Sequence, residues 1–397
     1  MTIYLDHAAT TPGDPRVVEA MLPHFSSAYG NPSSIYGLGQ DAARAVDAAR
    51  DRVAAALNAR NGDIVFTAGG TDSDNIAIRG AAYALRGQGS HIITSAAEHH
   101  AVIHTCEWLE RNAGFDVTYL QPDGEGFVSP EQVAAAITPE TTVVTIMLAN
   151  NETGTIQPIP EIAAAVREAE KAQGRRIVFH TDAVQAAGLL SLDTRALGVD
   201  MMSLSAHKFH GPKGVGVLFL DRDAPFQAQT MGGSQERNRR AGTENTAGIV
   251  GAGCALEMAE RERAAVVPHV ARLAARLGQG ILAAIPDAHL NGPPLSDPRR
   301  LANNVNVSFS GVEIESVLIN LDIAGIAASS GSACTSGSID PSHVLTAMGK
   351  PHELARNSLR LTLGRNNTGE EIDRVLEVLP QIIRRVRGLA GARRARD

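Results

Sequence analysis

Between residues 60 and 220, short runs rich in β-branched residues alternate with segments of helical periodicity, and this alternation restricts the possible folds severely. Residues 160–174 show the helical pattern, with a proline in the first turn and a glycine at the end. Strands that alternate with helices form a mostly parallel sheet with helices on both faces. The runs predicted as strands are DIVFT (63–67), HIITS (91–95), TVVTIML (142–148), RIVFHTD (176–182), DMMSLS (200–205) and GVGVLFL (214–220).

The C-terminal part of the chain has a different pattern. A long helix is predicted over 257–284, and a Gly/Ser-rich loop over about 328–340 separates the strands NNVNVSF and SLRLTLG. This order predicts a smaller α+β domain that ends in a helix, and a chain of 397 residues is long enough for two cores. The predicted division is an N-terminal segment (1–15) that packs with the small domain, a large domain (16–257) and a small C-terminal domain (258–397).

Composition excludes several classes of function. The formal net charge of -7 gives no basis for binding nucleic acid or an anionic membrane. The start MTIYLDHAATTP lacks the basic and apolar regions of a secretory signal, and no apolar run is long enough to span a bilayer. The three cysteines, Cys106, Cys254 and Cys334, are odd in number and too far apart for zinc-ligand spacing. We therefore expect a cytoplasmic protein without a bound metal.

Polar residues follow the predicted strands, at the sheet edge where ligands bind in open α/β folds. Gly70 and Thr71 open a helix after the first strand, and the free N–H groups of a helix start suit a phosphate. Each residue taken alone also has a structural interpretation, as a helix cap for Thr71 or Asp182 and as a turn former for Asn151. The candidates at this edge are Gly70, Thr71, His99, Asn151, Asp182, Gln185, Ser205 and His207.

A lysine stands at the same edge. Nearly all the positive charge is arginine, which cannot act as an amine nucleophile, and the only lysines are Lys171, Lys208, Lys213 and Lys350. Lys208 directly follows a strand, whereas the others lie on a polar helix face or in turns. A phosphate, an imine-forming amine and a carboxylate beside a ring cation are together what pyridoxal phosphate requires. We expect Lys208 to hold this cofactor covalently, Asp182 to pair with its ring nitrogen, and a polar set to bind its phosphate. That set is Thr71, Ser205 and His207.

These residues lie in blocks that resemble the cysteine desulfurases of the NifS and IscS type, within the class-V aminotransferase family of fold-type-I pyridoxal-phosphate enzymes. The resemblance covers nearly the whole chain in the family's order. It implies an α/β large domain with a mostly parallel seven-stranded sheet, and a homodimer with shared sites. The blocks are YLDHAATTP, GNPSS, TAGGTDSDN, EHHAV, NNETG, HTDAVQ, SAHKFHGPKG, RRAGTEN, SSGSACTSGS and SLRLTLGR.

The resemblance also implies roles for individual residues. His99 would stack on the cofactor ring and assist proton transfers, while Asn151 and Gln185 would hydrogen-bond the ring region. Arg360 would bind the substrate carboxylate, a task suited to a bidentate guanidinium. The resemblance also places Asn31, together with Asn151, near the substrate, and Thr243 at the phosphate of the neighbouring subunit.

Cys334 differs from the other two cysteines in its surroundings. Cys106 and Cys254 lie in helical, apolar stretches, whereas Cys334 lies among Ser and Gly in a loop and has no predicted core role. A cysteine in such a loop is a candidate nucleophile. The resemblance implies that L-cysteine is converted to L-alanine while its sulfur becomes a persulfide on Cys334. An iron–sulfur scaffold or another sulfur-acceptor protein would then take up this sulfur.

Other activities stay open from the sequence. A selenocysteine lyase or a class-V aminotransferase has the same cofactor residues, and a non-catalytic regulator or scaffold on this fold is the alternative outside enzymes. The sulfur could serve iron–sulfur assembly, nitrogenase maturation, or thiolation of tRNA or DNA. The sequence also leaves open whether Cys334 transiently ligates an iron–sulfur cluster.

Overall fold

The computed structural model of the protein describes residues 2–331 and 340–394, with side chains described as far as Leu389. Its strands are short, and most of those in the centre of the molecule are wholly buried. In chain order they are β1 (Ile3–Tyr4), β2 (Ile64–Thr67), β3 (His91–Ser95), β4 (Asp116–Leu120), β5 (Thr141–Thr145), β6 (Val178–Asp182), β7 (Met201–Ser205), β8 (Gly216–Leu220), β9 (Ala288–Leu290), β10 (Asn304–Phe309), β11 (Ile326–Ala327), β12 (Ser329–Ser330) and β13 (Ser358–Thr362).

The helices range from single turns to one of 39 residues. Their ends follow local chemistry, since glycines in the left-handed conformation end three of them at residues 114, 174 and 198. They are α1 (Pro15–Met21), α2 (Pro23–Ser26), α3 (Gly37–Ala56), α4 (Gly70–Leu85), α5 (His100–Ala113), α6 (Pro130–Ala136), α7 (Ile159–Gln173), α8 (Thr194–Leu197), α9 (Gln235–Asn238), α10 (Thr246–Ala284), α11 (Ile314–Ile323), α12 (His343–Ala347), α13 (His352–Arg356) and α14 (Gly369–Arg394).

Seven strands form the central sheet, in the order β2-β8-β7-β6-β5-β3-β4. Strand β8 is antiparallel to both of its neighbours, and every other neighbouring pair is parallel. The predicted fold class, an α/β fold with a mostly parallel seven-stranded sheet, is therefore confirmed. The six strands predicted from apolar runs are present. The sequence DVTYL of β4 was not predicted as a strand because this edge strand is only partly buried and has no continuous apolar run.

The central sheet has a separate core on each face. Successive residues of one strand contact opposite cores, because side chains alternate across a sheet. Val143 faces one core and Val144 the other, and Met201 and Met202 divide in the same way. Helices α4 and α5 cover one face, while α3, α7 and the first half of α10 cover the other. The apolar runs are continuous rather than alternating because both faces are buried.

A second, antiparallel sheet of order β12-β13-β10-β9 belongs to the C-terminal part of the chain. It packs with the second half of α10, with α14 and with Leu5 from the N-terminal segment. Strand β1 also pairs in parallel with β11. These contacts support the predicted domain division, which itself stays a prediction.

Helix α10 begins at Thr246 rather than at about residue 257 as predicted. Glycines in its first turns obscured the helical pattern in the sequence, and their absent side chains allow close packing. A Cβ atom on Gly253 would lie 2.8 Å from the carbonyl oxygen of Ala49 in α3, and one on Gly251 would lie 2.6 Å from the sulfur of Met21. Among the described helices, none combines the length and apolar character needed to cross a bilayer.

Candidate active site

A cavity of about 930 Å³ lies at the carboxyl ends of the central strands, within the usual range of roughly 300–1,000 Å³ for small-molecule sites. Residues from the N-terminal segment and from β13 close it on the side of the second sheet. It collects most of the residues predicted from the sequence, although they are far apart in the chain. Those that line it are Gly70, Thr71, His99, Asn151, Asp182, Gln185, Ser205, His207, Lys208 and Arg360.

One end of the cavity is suited to a phosphate. Helix α4 begins at Gly70, where a Cβ atom would lie 2.8 Å from a methyl carbon of Val184, so only glycine fits without a shift. The amides of this helix start and the hydroxyls of Thr71 and Ser205 line the same end. His207 lies beside them, with Nδ1 at 3.0 Å from the Thr10 hydroxyl. The donor set therefore matches the phosphate site expected from the sequence.

Asp182 is the last residue of β6 and is almost completely buried. One carboxylate oxygen accepts a hydrogen bond of 2.8 Å from the Val184 amide. Burial raises the pKa of Asp182 to about 6, against the lowering effects of this hydrogen bond and of the charge on Lys208. A buried carboxylate with increased proton affinity is suited to sharing a proton with a ring nitrogen.

Two more carboxyl groups lie fully buried near Asp182. Burial is the main cause that raises the pKa of both Asp74 and Glu98 well above the ordinary range, and the charge of Asp182 raises it further. Burial therefore favours the neutral form of both acids.

His99 caps the start of α5. Its Nδ1 accepts a hydrogen bond of 3.1 Å from the Ala101 amide, so the neutral ring carries its proton on Nε2. Burial, followed by the positive charge of Lys208, lowers the pKa of His99 to about 4. The ring is therefore neutral at pH 7, with a fixed tautomer and one N–H available to a ligand.

Lys208 stands in a single 3-10 turn directly after β7. Its Nζ atom donates hydrogen bonds to the carbonyl oxygens of Ala8, at 2.5 Å, and Ala9, at 2.8 Å. The side-chain amide of Gln185 donates to the same Ala8 carbonyl at 3.0 Å. The N-terminal segment thus holds the lysine amine at the cavity wall.

Arg360 lies on β13 with its side chain buried. One terminal nitrogen donates to an Asp6 carboxylate oxygen at 3.0 Å, and the other donates to the Asn151 carbonyl at 3.0 Å. Within the described part of the chain, the Nε atom of Arg360 and the side-chain oxygen of Asn151 are buried without a hydrogen-bond partner. Unsatisfied buried groups are costly, so these two atoms indicate a ligand that is bound during function.

Two of the predicted site residues that the structure describes, Asn31 and Thr243, do not line this cavity. Asn31 is exposed, and its side-chain oxygen accepts a hydrogen bond of 2.9 Å from the Ser33 amide. Thr243 is also exposed, on the chain between α9 and α10. Cys334 lies outside the described residues, so its predicted role and its possible cluster ligation stay predictions.

The structure adds site residues that the sequence analysis did not single out. Asp6 forms an ion pair with Arg360, and Glu152 lies fully buried beside Asn151. Both belong to blocks already noted for other residues, YLDHAATTP and NNETG. The only sequence signal for Asp6 and Glu152 was that each is a polar residue within such a block. Their contacts could not be predicted, because the residues that they contact are distant in the chain and come close only in the fold.

Comparison with known proteins agrees with this geometry. The family model described as aminotransferase class-V matches residues 3–375. The chain belongs to the class-V aminotransferase family. It is 51% identical over 388 residues to the cysteine desulfurase IscS of Clostridium botulinum, a match that covers 98% of this chain and 96% of that protein.

Solved structures give the same result. A NifS-like protein superimposes with a TM-score of 0.89 at 35% identity, covering 97% of this chain and all of that one. A protein named SspA, solved in complex with cysteine, gives a TM-score of 0.79 at 36% identity and covers 92% of this chain and all of that one. Within the family the activity of the chain is that of a cysteine desulfurase, which removes sulfur from L-cysteine.

Proposed function

We propose that the cavity holds pyridoxal phosphate and that Cys334 accepts the sulfur of L-cysteine as a persulfide. The observation that carries the proposal is the convergence of Lys208, Asp182 and a phosphate-binding end in one cavity. The bound cofactor supplies an electron sink for the carbon atoms of the substrate. Lys208 would attach it covalently, and Asp182 would pair with its ring nitrogen. The residues around the ring would be His99, Asn151 and Gln185.

The chain's own residues orient the substrate and move protons. Arg360 binds the carboxylate of L-cysteine, and its unsatisfied Nε supports this role. The amine of Lys208, which would hold the cofactor, is also the base that would take the proton from the α-carbon of the substrate. The neutral His99 ring would lie against the cofactor ring, and its Nε2 atom would assist proton transfer.

Sulfur transfer uses the thiolate of Cys334. Its sulfur attacks the sulfur of the bound substrate, the S–S bond forms, and the C–S bond breaks with its electron pair left on the β-carbon. Protonation of that carbon gives L-alanine, and Cys334 carries one additional sulfur atom. Atoms and electrons balance without an external oxidant. Thiol attack on the persulfide then releases sulfide or passes the sulfur to an acceptor protein.

We further propose a homodimer with shared sites, in which Thr243 reaches the phosphate of the neighbouring subunit and Asn31 lies near the substrate. The exposure of both side chains in the single chain is compatible with this arrangement. The acceptor is an iron–sulfur scaffold or another sulfur-accepting protein. A reducing cytoplasm suits the chemistry, because Cys106 and Cys254 are free thiols.

The first experiment compares L-alanine and sulfide release from L-cysteine, with a thiol reductant present, for three proteins. Wild type should release both products in equal amounts, and Cys334→Ala should lose at least about a hundredfold in turnover while keeping the cofactor absorbance. Cys254→Ala is the matched control, because this thiol lies on α10 away from the cavity, and it should match wild type. Undiminished turnover by Cys334→Ala would refute the proposed role.

A further inference from the structure

Glu152 is a buried carboxyl group to which the steps above assign no role. It is 2% exposed and lies in the turn after the bridge residue Ala149, between the cavity and the second sheet. Burial raises the pKa of Glu152 to about 7, although a hydrogen bond from Ser342 and the charge of Arg360 both lower it. A carboxyl group kept in such a place is costly to bury unless its contacts are needed.

The Glu152 side chain contacts the chain on the C-terminal side of segment 332–339. The Ser342 hydroxyl donates a hydrogen bond of 2.5 Å to Glu152 Oε2. The same hydroxyl accepts from the Leu345 amide at 3.1 Å and so caps the start of α12. Glu152 therefore contacts the residue that caps the first helix after that segment.

The same carboxylate oxygen lies against the chain on the N-terminal side of segment 332–339. A Cβ atom on Gly331 would lie 2.3 Å from Glu152 Oε2, so any other residue at this position would force the Glu152 side chain to shift. Gly331 directly follows β12, whose residue Ser329 pairs with Arg360 of β13. One oxygen atom thus contacts both ends of the segment that contains Cys334.

The main chain of Glu152 is held independently of its side chain. Its carbonyl oxygen accepts hydrogen bonds of 3.0 Å from the side-chain amides of Asn304 and Asn306 on β10. Its amide donates to the Asn150 side chain at 2.8 Å. Arg360 keeps its own contacts with Asp6 and with the Asn151 carbonyl. Removal of the Glu152 carboxylate should therefore leave the substrate-carboxylate site in place.

We propose that Glu152 is a positioning residue for sulfur transfer, whose carboxylate holds both ends of segment 332–339 at a fixed place beside Arg360. The inference rests on the proposed role of Cys334 as the sulfur acceptor. It predicts a defect mainly in the transfer step rather than in substrate binding, because Arg360 makes its hydrogen bonds to Asp6 and Asn151 and not to this carboxylate.

The test is single-turnover formation of L-alanine by the cofactor-loaded enzyme, together with an L-cysteine titration of the cofactor absorbance. Glu152→Ala should slow alanine formation at least about tenfold and shift the midpoint of the titration less than about threefold. Glu152→Gln keeps the size of the side chain and an acceptor for Ser342, so its rate should return to within about threefold of wild type.

Gly331→Ala provides an independent variant of the same contact. The added methyl group would contact Glu152 Oε2, so the single variant Gly331→Ala should also slow alanine formation. In the Glu152→Ala background the carboxylate is gone and the Ser358 hydroxyl, 3.2 Å from the added Cβ, is the remaining close atom, so Gly331→Ala should add less loss than it causes alone.

A wild-type rate for Glu152→Ala, or independent losses in the double variant, would overturn the inference. So would a failure of Glu152→Gln to recover the rate. A different result is expected if Cys334 is not the sulfur acceptor. Cys334→Ala would then form alanine at the normal rate, whatever residue stands at position 152.

Discussion

At the scale of single residues, buried charges mark the places where the site is completed by a ligand. Arg360 has one carboxylate partner, Asp6, and one carbonyl partner, and its Nε atom is left for another acceptor in the described structure. We propose that a substrate carboxylate supplies this acceptor. Asp6 is partly buried and is held by its ion pair with Arg360. Burial is the main cause that raises the pKa of Asp6.

Arg360→Lys tests this arrangement while keeping the positive charge. An ammonium cannot contact Asp6, the Asn151 carbonyl and a substrate carboxylate with the planar geometry of a guanidinium. We expect KM for L-cysteine to rise at least about tenfold and the cofactor absorbance to stay unchanged. Arg299→Lys, an exposed position, is the control and should leave steady-state kinetics unaltered. An unchanged KM in Arg360→Lys would remove this residue from the substrate site.

At the scale of elements, the large core depends on how closely α10 packs on α3. The contact involves Gly253 of α10 and Ala49 of α3, where a Cβ atom on the glycine would lie 2.8 Å from a carbonyl oxygen. Backbone atoms cannot rotate away as a side chain can. The glycine therefore sets the distance between the two helices, and Ile249 and Ala252 on the same helix fill the core around it.

Gly253→Ala should push these helices apart and lower the free energy of unfolding by about 1–3 kcal/mol, as overpacking of a core does. Gly37→Ala is the matched control at the first position of α3, where nothing lies within 4 Å of the added Cβ. It should change stability by less than about 1 kcal/mol. Urea denaturation of both variants measures the difference. Equal stabilities would show that α10 and α3 are not held by this contact.

At the scale of the whole molecule, the N-terminal segment connects both sheets to the site. Leu5 packs in the core of the second sheet, and the carbonyls of Ala8 and Ala9 hold Lys208. Asp14 then caps α1 and forms ion pairs with Arg16 and with Arg365, which follows β13. The segment is short, yet it connects the C-terminal part of the chain to the large core.

The pH dependence of stability reports on this connection. The hydrogen bond from Arg16, aided by Arg365, holds the pKa of the buried Asp14 carboxyl well below its ordinary value of 3.8. A depressed pKa contributes stability above the ordinary value, and this contribution is lost as the pH falls below it. Asp14→Asn should therefore cost about 1–3 kcal/mol at pH 7, with a smaller difference from wild type below about pH 4. A difference that stays constant between pH 3 and 7 would contradict the assignment.

The central sheet and most of the cavity could be predicted because parallel strands bring their carboxyl ends to one edge. Residues after separate strands, such as His99 and Asp182, therefore converge in the fold as local patterns indicated. Other partners could not be predicted from local patterns. The pairing of Arg360 with Asp6 requires the N-terminal segment to return to the second sheet. Glu152 contacts Gly331 and Ser342 only after the two sheets have packed together.

The mass of the Cys334 peptide, after the enzyme reacts with one equivalent of L-cysteine without reductant, tests the sulfur transfer directly. We expect one additional sulfur atom on this peptide, formed together with one equivalent of L-alanine, and none on the peptides of Cys106 or Cys254. L-Alanine formed while the Cys334 peptide keeps its original mass would contradict it.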